Sequence, residues 1–167
     1  MTRKEIIETS DCEGKYLTFN LMEEFYGINV DWILQIIAIP DITQIPKTPL
    51  FVKGVINLRG KIIPVIDLRL RFRLPEKEYN DRTSILIIKF KMGKGEIFIG
   101  IIVDKVIEVF DINANEIESA PVFGVDLDTQ FILAMAKVKG KVVTLLDISK
   151  ILTDTELTQM HNTHIGG

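Results

Sequence analysis

The sequence predicts a mainly β protein that contains two small β-barrels built from one duplicated unit. A segment of the first half, Leu58–Ile63 (LRGKII), returns 80 residues later as Val138–Val143 (VKGKVV). A second segment, Phe25–Asp31 (FYGINVD), returns 73 residues later as Phe98–Asp104 (FIGIIVD). Two matched segments in the same order indicate duplication of a supersecondary unit. Closing each copy into a barrel removes the unpaired strand edges that a small open sheet would expose.

Short strands make up almost all of the predicted elements. Each is an apolar or alternating run bounded by turn-forming residues. The segment 31–37 fits either a helical turn that runs into a strand or a strand alone, and its periodicity does not decide between them. The segment 96–103 is apolar almost throughout, which predicts burial on both faces. In chain order, strands are predicted over Tyr16–Leu21, Phe25–Val30, Val55–Leu58, Lys61–Ile66, Ser84–Phe90, Glu96–Val103, Val106–Ile112, Phe131–Val138 and Lys141–Leu146.

A tight hairpin is predicted at each copy of the repeated segment. In the first copy Arg59 and Gly60 connect two strands, and glycine readily adopts the positive φ that a two-residue turn requires. Pro64 has no amide hydrogen to donate to a ladder, so its strand is predicted to lie at an edge or at a bulge.

A short helix is predicted after each hairpin. Residues 68–74 alternate as a strand would, but the second copy favours a helix, because Asp147 is a good N-cap and apolar residues follow it at helical spacing. By transfer from the second copy, Asp67 caps a helix in the first. The inner residues of that helix are predicted to be Leu68, Arg71 and Phe72.

Length and composition indicate a globular, cytoplasmic protein. The chain has 167 residues, enough for one domain of ordinary size or two small subdomains, and 47% of them are apolar. Its apolar runs are far shorter than the about 20 residues that span a bilayer, and the N-terminus lacks the apolar core of a secretion signal. Cys12 is the only cysteine, which excludes an internal disulfide.

The net charge of −3 hides an uneven distribution. Residues 47–94 carry 12 Lys or Arg against 4 Asp or Glu, a balance of +8, and the other residues have a balance of −11. Such a block fits a nucleic-acid site, a surface for an acidic protein or a solvated barrel rim. Aromatic residues do not interleave with its arginines, and no helix-turn-helix or zinc-finger pattern is present, so the nucleic-acid interpretation lacks support.

The sequence contains no recognisable catalytic or metal-binding constellation. His161 and His164 lie in a polar tail where no fixed ligand geometry is expected. The segment 93–95 (GKG) lacks the pattern of a phosphate-binding loop and lies between two strands, which predicts a hairpin turn. Asp31 and Asp104 occupy matching repeat positions, which favours a shared structural role over acid–base catalysis. We therefore expect no enzymatic activity, no metal and no cofactor.

The first hairpin resembles a motif of the CheW family, the adaptors of bacterial chemotaxis. The similar residues are GVINLRG at 54–60 and IPVIDLR at 63–69. The resemblance covers about residues 15–153 and continues through Tyr26-Gly27-Ile28, Pro46, Pro49, Gly100–Asp104 and Ala120-Pro121.

This resemblance implies one CheW-like domain over 15–153. It would consist of two SH3-like five-stranded β-barrel subdomains, at about 15–83 and 84–153, related by a pseudo-twofold axis and sharing a hydrophobic core. Flexible tails are expected at 1–13 and 155–167.

The resemblance also implies a function, that of a non-enzymatic adaptor. Such a protein couples the cytoplasmic tip of chemoreceptors to the regulatory domain of the CheA histidine kinase, with other copies of the chain as further candidate partners. The resemblance assigns kinase contact to Phe123. It assigns receptor contact to Arg59, Gly54, Ile33 and Gln35.

Three of these residues also have a structural interpretation. Arg59 is either a solvated turn residue or a presented guanidinium that pairs bidentately with a partner carboxylate, which Lys139 at the matching position cannot do. Gly54 either admits a strand or lets a partner's backbone approach closely. Phe123 either contacts the kinase or packs in the core.

The chain departs from the family pattern at two positions. Gln35 stands where the family usually has glutamate, which leaves a hydrogen bond available but removes the charge. Glu118 replaces a basic residue of some relatives, so the resemblance says less about contacts on that side.

Three other functions remain open at this point. One is a nucleic-acid-binding small barrel. The others are a regulatory fragment of a CheA-like kinase and a CheV-like adaptor without its receiver. The initial Met1 and the lack of a phosphotransfer or ATP-binding segment favour a free-standing adaptor over these two.

Overall fold

The structure, a computed structural model, describes residues 12–92, 94–118 and 131–152. Within these ranges the chain is mainly β, as the sequence predicts, with one α-helix and three short 3₁₀ turns. The elements in chain order are β1 (Gly14–Leu21), β2 (Glu24–Asn29), β3 (Ile33–Ala38), β4 (Val52–Leu58), β5 (Lys61–Asp67), α1 (Leu68–Arg71), β6 (Ser84–Met92), β7 (Gly95–Val103), β8 (Lys105–Ile112), β9 (Ile117–Glu118), β10 (Ile132–Val138) and β11 (Lys141–Leu146).

The strands form two sheets in two compact units. Within the described ranges, unit 1 contains residues 12–30, 107–118 and 131–151, and unit 2 contains residues 31–92, 94–106 and 152. The sheet of unit 1 has the order β8-β1-β2-β11-β10-β9, and that of unit 2 has the order β3-β6-β7-β5-β4. The units are therefore interleaved in sequence, and the boundary expected between residues 83 and 84 is not where the chain divides.

Parallel pairing between the two repeat copies causes this interleaving. In the first hairpin, the strand β5 pairs with β7, with Val65 opposite Gly100. In the second hairpin, the strand β11 pairs with β2, with Leu145 opposite Gly27. Each hairpin thus joins the glycine-containing strand of the other copy. Without the two-residue β9, each sheet has five strands in the same arrangement, with β10 and β11 in the places of β4 and β5, and β1 and β2 in the places of β6 and β7. The five-stranded pattern therefore occurs twice.

The two matching glycines allow this parallel pairing to be close. A Cβ on Gly27 would lie 3.2 Å from a methyl group of Leu145, and one on Gly100 would lie 2.8 Å from Ile85 and 3.3 Å from Val65. A side chain at either position would have to displace a buried neighbour from the paired strand.

The edges of each sheet are joined by the segment that follows the edge strand. In unit 2 the backbone of Thr43, after β3, exchanges two hydrogen bonds of 2.8 and 2.9 Å with Val55 of β4. In unit 1, β9 follows β8 and pairs with β10, Met135 opposite Glu118. These pairings close each unit into a small barrel.

The two predicted hairpin turns are present and nearly identical. Arg59 and Gly60 have φ of 54° and 83°, and Lys139 and Gly140 have φ of 51° and 80°. Positive φ at both central residues matches the right-handed twist of the flanking strands.

The prediction that Pro64 lies on an edge strand or at a bulge is wrong. Its strand β5 lies between β4 and β7, and the register shift in the hairpin falls at Val52 and Gly54 on β4 instead. Pro64 is tolerated because its partner Val55 directs its N–H and C=O to Thr43, and the pairing with β7 begins only at Val65.

The predicted helix after the first hairpin is confirmed, with a different buried face. Asp67 caps α1 by accepting a hydrogen bond of 2.9 Å from the backbone N–H of Arg69, and Asp147 makes the matching bond to Ser149. Leu68 is buried as expected, but the buried arginine is Arg69. The Arg69 guanidinium makes a two-pronged pair with Asp104, at 2.7 to 2.9 Å, and donates to the carbonyl of Pro75 at 2.9 Å.

Each unit has its own apolar cluster. The strand β7 is buried on both faces after its first residues, as its apolar sequence predicts. The cluster of unit 2 contains Ile56, Ile63, Val65, Ile85, Ile87 and Ile102. The cluster of unit 1 includes Tyr16, Ile112, Ala136, Val143, Leu145 and the thiol of Cys12, which forms no disulfide.

Candidate functional site

Arg59 occupies the tip of a rigid hairpin in unit 2. The turn is held by a hydrogen bond of 2.9 Å from the Gly60 N–H to the Asn57 side chain, and Arg59 itself is exposed. Among the described residues, no side chain or carbonyl forms a hydrogen bond or an ion pair with the Arg59 guanidinium. Its donors are therefore available to a carboxylate outside the chain.

The matching tip of unit 1 has a different environment. The Lys139 ammonium lies 5.1 Å from the centroid of the Phe110 ring, so this cation rests on an aromatic ring of its own unit. The neighbouring Lys141 lies 4.5 Å from the centroid of Phe25, a contact that Lys61 and Phe98 repeat in unit 2. The two turns have the same backbone but different side-chain environments.

The strand β3 places Ile33 and Gln35 on a half-buried row. Gln35 lies opposite Ile87, a member of the unit 2 cluster, so its side chain shares the inward face of the sheet. Ile33 is also half-buried, and the register shifts between these two residues. Both are therefore accessible only in part.

Two large apolar residues of β3, neither of them assigned a role from the sequence, are exposed. Leu34 is 59% exposed and Ile36 is 45% exposed, on the face opposite to Gln35. Residues 33–37 are apolar except for Gln35, so the sequence lacks the alternation that would show which residues face outward. The exposure of Leu34 and Ile36 makes β3 an apolar surface strand at the edge of its sheet.

Gly54 is buried, and the backbone close to it belongs to this chain. Its φ is 141°, and a Cβ there would lie 2.0 Å from the carbonyl oxygen of Thr43. The close approach expected for a partner at Gly54 is thus occupied by the connection that follows β3. Gly54 supports barrel closure, which in turn fixes the base of the Arg59 hairpin.

The four residues assigned to receptor contact all lie in unit 2, and no hydrogen bond joins any two of them. The register places Gln35, Ile87, Gly100, Val65 and Gly54 in one row across the sheet, with β3 and β4 at its two edges. Ile33 lies about one row nearer to the hairpin tips, and Arg59 lies beyond the last row. The four residues are therefore spread over one barrel, from its two edge strands to the β4–β5 turn.

The residue assigned to kinase contact, Phe123, lies outside the described residues, as do Ala120-Pro121 and both histidines. Glu118 is described and is exposed on β9. Its carboxylate lies 3.6 Å from the ammonium of Lys137 on β10.

The buried ionisable groups of unit 2 serve its structure. Asp67 accepts a hydrogen bond of 2.8 Å from the Tyr79 hydroxyl, and burial raises the pKa of both groups above their usual ranges. For Arg69 the hydrogen bonds to the Asp104 carboxylate outweigh the opposite effect of burial and raise its pKa above the usual range. Within the described ranges, no three His, Cys, Asp or Glu side chains come together as a set of metal ligands. No helix among the described residues is long and apolar enough to cross a membrane.

Comparisons with known proteins agree on one family. The family model of the CheW-like domain matches residues 15–156. The chemotaxis protein CheW of Klebsiella aerogenes is 35% identical over 148 residues, which cover 89% of this chain and 87% of that protein. CheW of Bacillus subtilis is 37% identical over 146 residues, which cover 87% of this chain and 90% of that protein.

A solved structure shows the same fold. The crystal structure of the scaffolding protein TtCheW from Thermoanaerobacter tengcongensis superposes with a TM-score of 0.75 at 35% identity, covering 86% of this chain and 90% of that one. Nothing in these comparisons supports a nucleic-acid-binding barrel.

Proposed function

The chain belongs to the CheW family of chemotaxis adaptors, and we propose that it couples the cytoplasmic tips of chemoreceptors to the regulatory domain of the CheA histidine kinase. It does so in the cytoplasm and without catalysis. Its action is positional: one surface binds the receptor, another binds the kinase, and tethering raises their effective concentration for each other. Each contact is of the small, transient class, and further copies of the chain are candidate partners.

The exposed Arg59 guanidinium is the observation that carries the receptor side of this proposal. A turn with two positive φ values presents it, and the stalk beneath it is fixed by the closure of the barrel at Gly54 and Thr43. A partner carboxylate can therefore pair with an arginine whose backbone is already ordered, which reduces the entropy lost on binding. Leu34 and Ile36 add exposed apolar area on the same unit.

The other assigned contacts follow from the resemblance. Ile33 and Gln35 would contact the receptor with their accessible edges, with Gln35 contributing a neutral hydrogen bond. Phe123 is proposed for the kinase contact.

Charge reversal at the tip tests the receptor contact. Arg59→Glu should leave the thermal unfolding midpoint nearly unchanged, because the side chain contributes nothing to a buried cluster, and should weaken co-sedimentation with receptor fragments by at least about tenfold. Such a loss corresponds to about 1.4 kcal/mol of binding free energy.

Lys139→Glu is the matched control, since it makes the same change of charge in a turn of the same conformation. It should retain receptor binding. Equal losses in the two variants, or no loss in Arg59→Glu, would return Arg59 to the class of solvated turn residues.

A further inference from the structure

A cationic surface surrounds Arg59 at one end of unit 2. Because β5 and β7 are parallel neighbours, the β4–β5 and β6–β7 turns lie at the same end of the sheet. We call this surface the tip end. It is formed by Arg59, Lys61, Lys89, Lys91 and Lys94, all of them exposed.

Three of these lysines project from the same face of the sheet. The Lys61 ammonium lies 4.9 Å from the centroid of the Phe98 ring. Lys89 lies opposite Phe98 in the β6–β7 pair, so the two side chains share a face, and Lys91 follows two residues later on the same face. The lysines thus form one patch beside the Arg59 turn.

A single carboxylate, Glu96, offsets these charges within the strands that form the tip end. Glu96 lies opposite Lys91, and its Oε2 is 3.6 Å from the Lys89 ammonium. Both side chains of this pair are more than 40% exposed, so the pair neutralises the local field only weakly. A second exposed carboxylate, Asp31, lies at the same end, just before β3, whose Ile33 pairs with Ile88 of β6. Five cations against two anions still leave a positive surface.

The corresponding end of unit 1 is mixed in charge. There β2 and β11 are the parallel neighbours, and the two turns bring Glu23 and Glu24 to the same end as Lys139 and Lys141. Barrel closure therefore does not require a cationic end. The positive charge of the tip end is a property of unit 2 alone.

We propose that the tip end binds an acidic polypeptide segment of the partner that Arg59 contacts, next to that contact. This inference rests on the proposed function and names the chemistry of the partner surface. A row of carboxylates on the partner would pair with Arg59 bidentately and with the lysines as point charges, which steers association and fixes the register of docking.

An acidic polypeptide fits the tip end better than a nucleic acid does. Nucleic-acid surfaces of this kind interleave cations with exposed aromatic faces for base stacking. Phe98 is half-buried beneath Lys61, and the Trp32 and Phe90 rings at this end contact each other, with Phe90 buried.

The test uses the whole chain labelled with ¹⁵N and a short peptide of alternating glutamate and serine. Chemical-shift changes on titration should concentrate at the tip end and disappear as salt is raised well above about 0.15 M. The double variant Lys89→Gln, Lys91→Gln should bind the peptide about fivefold more weakly, because each exposed charge pair contributes modestly. Lys137→Gln, Lys150→Gln is the control, with the same loss of charge on unit 1, and it should bind as the unaltered chain does.

Three outcomes would overturn the proposal. Shifts spread evenly over lysines of both units would show only nonspecific attraction, and equal weakening in the two double variants would mean the same. Duplex DNA or anionic lipid vesicles that bind the tip end more tightly than the peptide does would assign it to another class of partner. Because the peptide is not a receptor, these outcomes leave the adaptor function to the Arg59→Glu experiment.

Discussion

Arg59 and Lys139 show how one turn can serve two purposes in a duplicated protein. Their backbones differ by only a few degrees in φ, yet the lysine lies over an aromatic ring and the arginine has no partner among the described residues. Cation–π contact holds Lys139 on its own unit, whereas Arg59 remains available for a second protein. Duplication supplied the turn, and side-chain chemistry distinguishes the two copies.

A different arginine, Arg69, stabilises unit 2 from within. Its side chain and that of Asp104 are 10% and 14% exposed, and the pair joins α1 to the end of β7. Arg69→Ala would leave a nearly buried carboxylate without its partner and should lower the free energy of unfolding by about 3–5 kcal/mol. Arg69→Lys keeps the charge but loses the two-pronged geometry and the bond to Pro75, so its loss should be smaller, about 1–2 kcal/mol.

Urea unfolding of both variants measures these losses. If Arg69→Ala were as stable as the unaltered chain, the attraction between Arg69 and Asp104 would be no larger than the cost of desolvating the two side chains. The pair would then not hold α1 in place.

At the scale of elements, the closure of unit 2 depends on Gly54. Gly54→Ala should destabilise the protein by about 3 kcal/mol or more, because the new methyl group would overlap the Thr43 carbonyl and the backbone would have to shift. Gly60→Ala is the matched comparison: its φ is also positive, but no atom lies within 4 Å of the point that its methyl group would occupy. Its cost should be about 1 kcal/mol.

Thermal and urea unfolding of the two variants distinguish steric overlap from turn strain. Similar losses at the two positions would mean that conformational strain, and not the contact with Thr43, explains the glycine at 54.

Local patterns in the sequence predict most of the elements, because strands, turns and caps depend on neighbouring residues. The two hairpins, the Asp67 cap and the doubly buried β7 are of this kind. The repeat was needed to choose a helix over a strand after Asp67, since four helical residues carry too little periodicity to decide.

Long-range pairing accounts for what the sequence did not reveal. The parallel pairs β5–β7 and β2–β11 join segments that no local pattern relates, so sequential halves were expected where the units interleave. The burial of Arg69 depends in the same way on Asp104, 35 residues away. The exposure of Leu34 and Ile36 depends on which side of β3 the rest of the barrel lies.

At the scale of the whole molecule, the proposed coupling of two partners requires two surfaces on one chain and no reaction. Unit 2 presents the Arg59 tip and its cationic surroundings, and the residue proposed for the kinase, Phe123, belongs to a separate stretch of the chain. A scaffold of this kind works by holding two partners together, so weak individual contacts are sufficient when both are made at once.

The most direct test of the central claim is sedimentation of receptor-fragment assemblies with the purified regulatory domain of the kinase, with and without this protein. We predict that the kinase domain sediments with the receptor only when the protein is present. Arg59→Glu should abolish this bridging while leaving binary binding to the kinase domain intact. A kinase domain that sediments equally well without the protein, or that fails to sediment with it although both binary contacts form, would contradict the account.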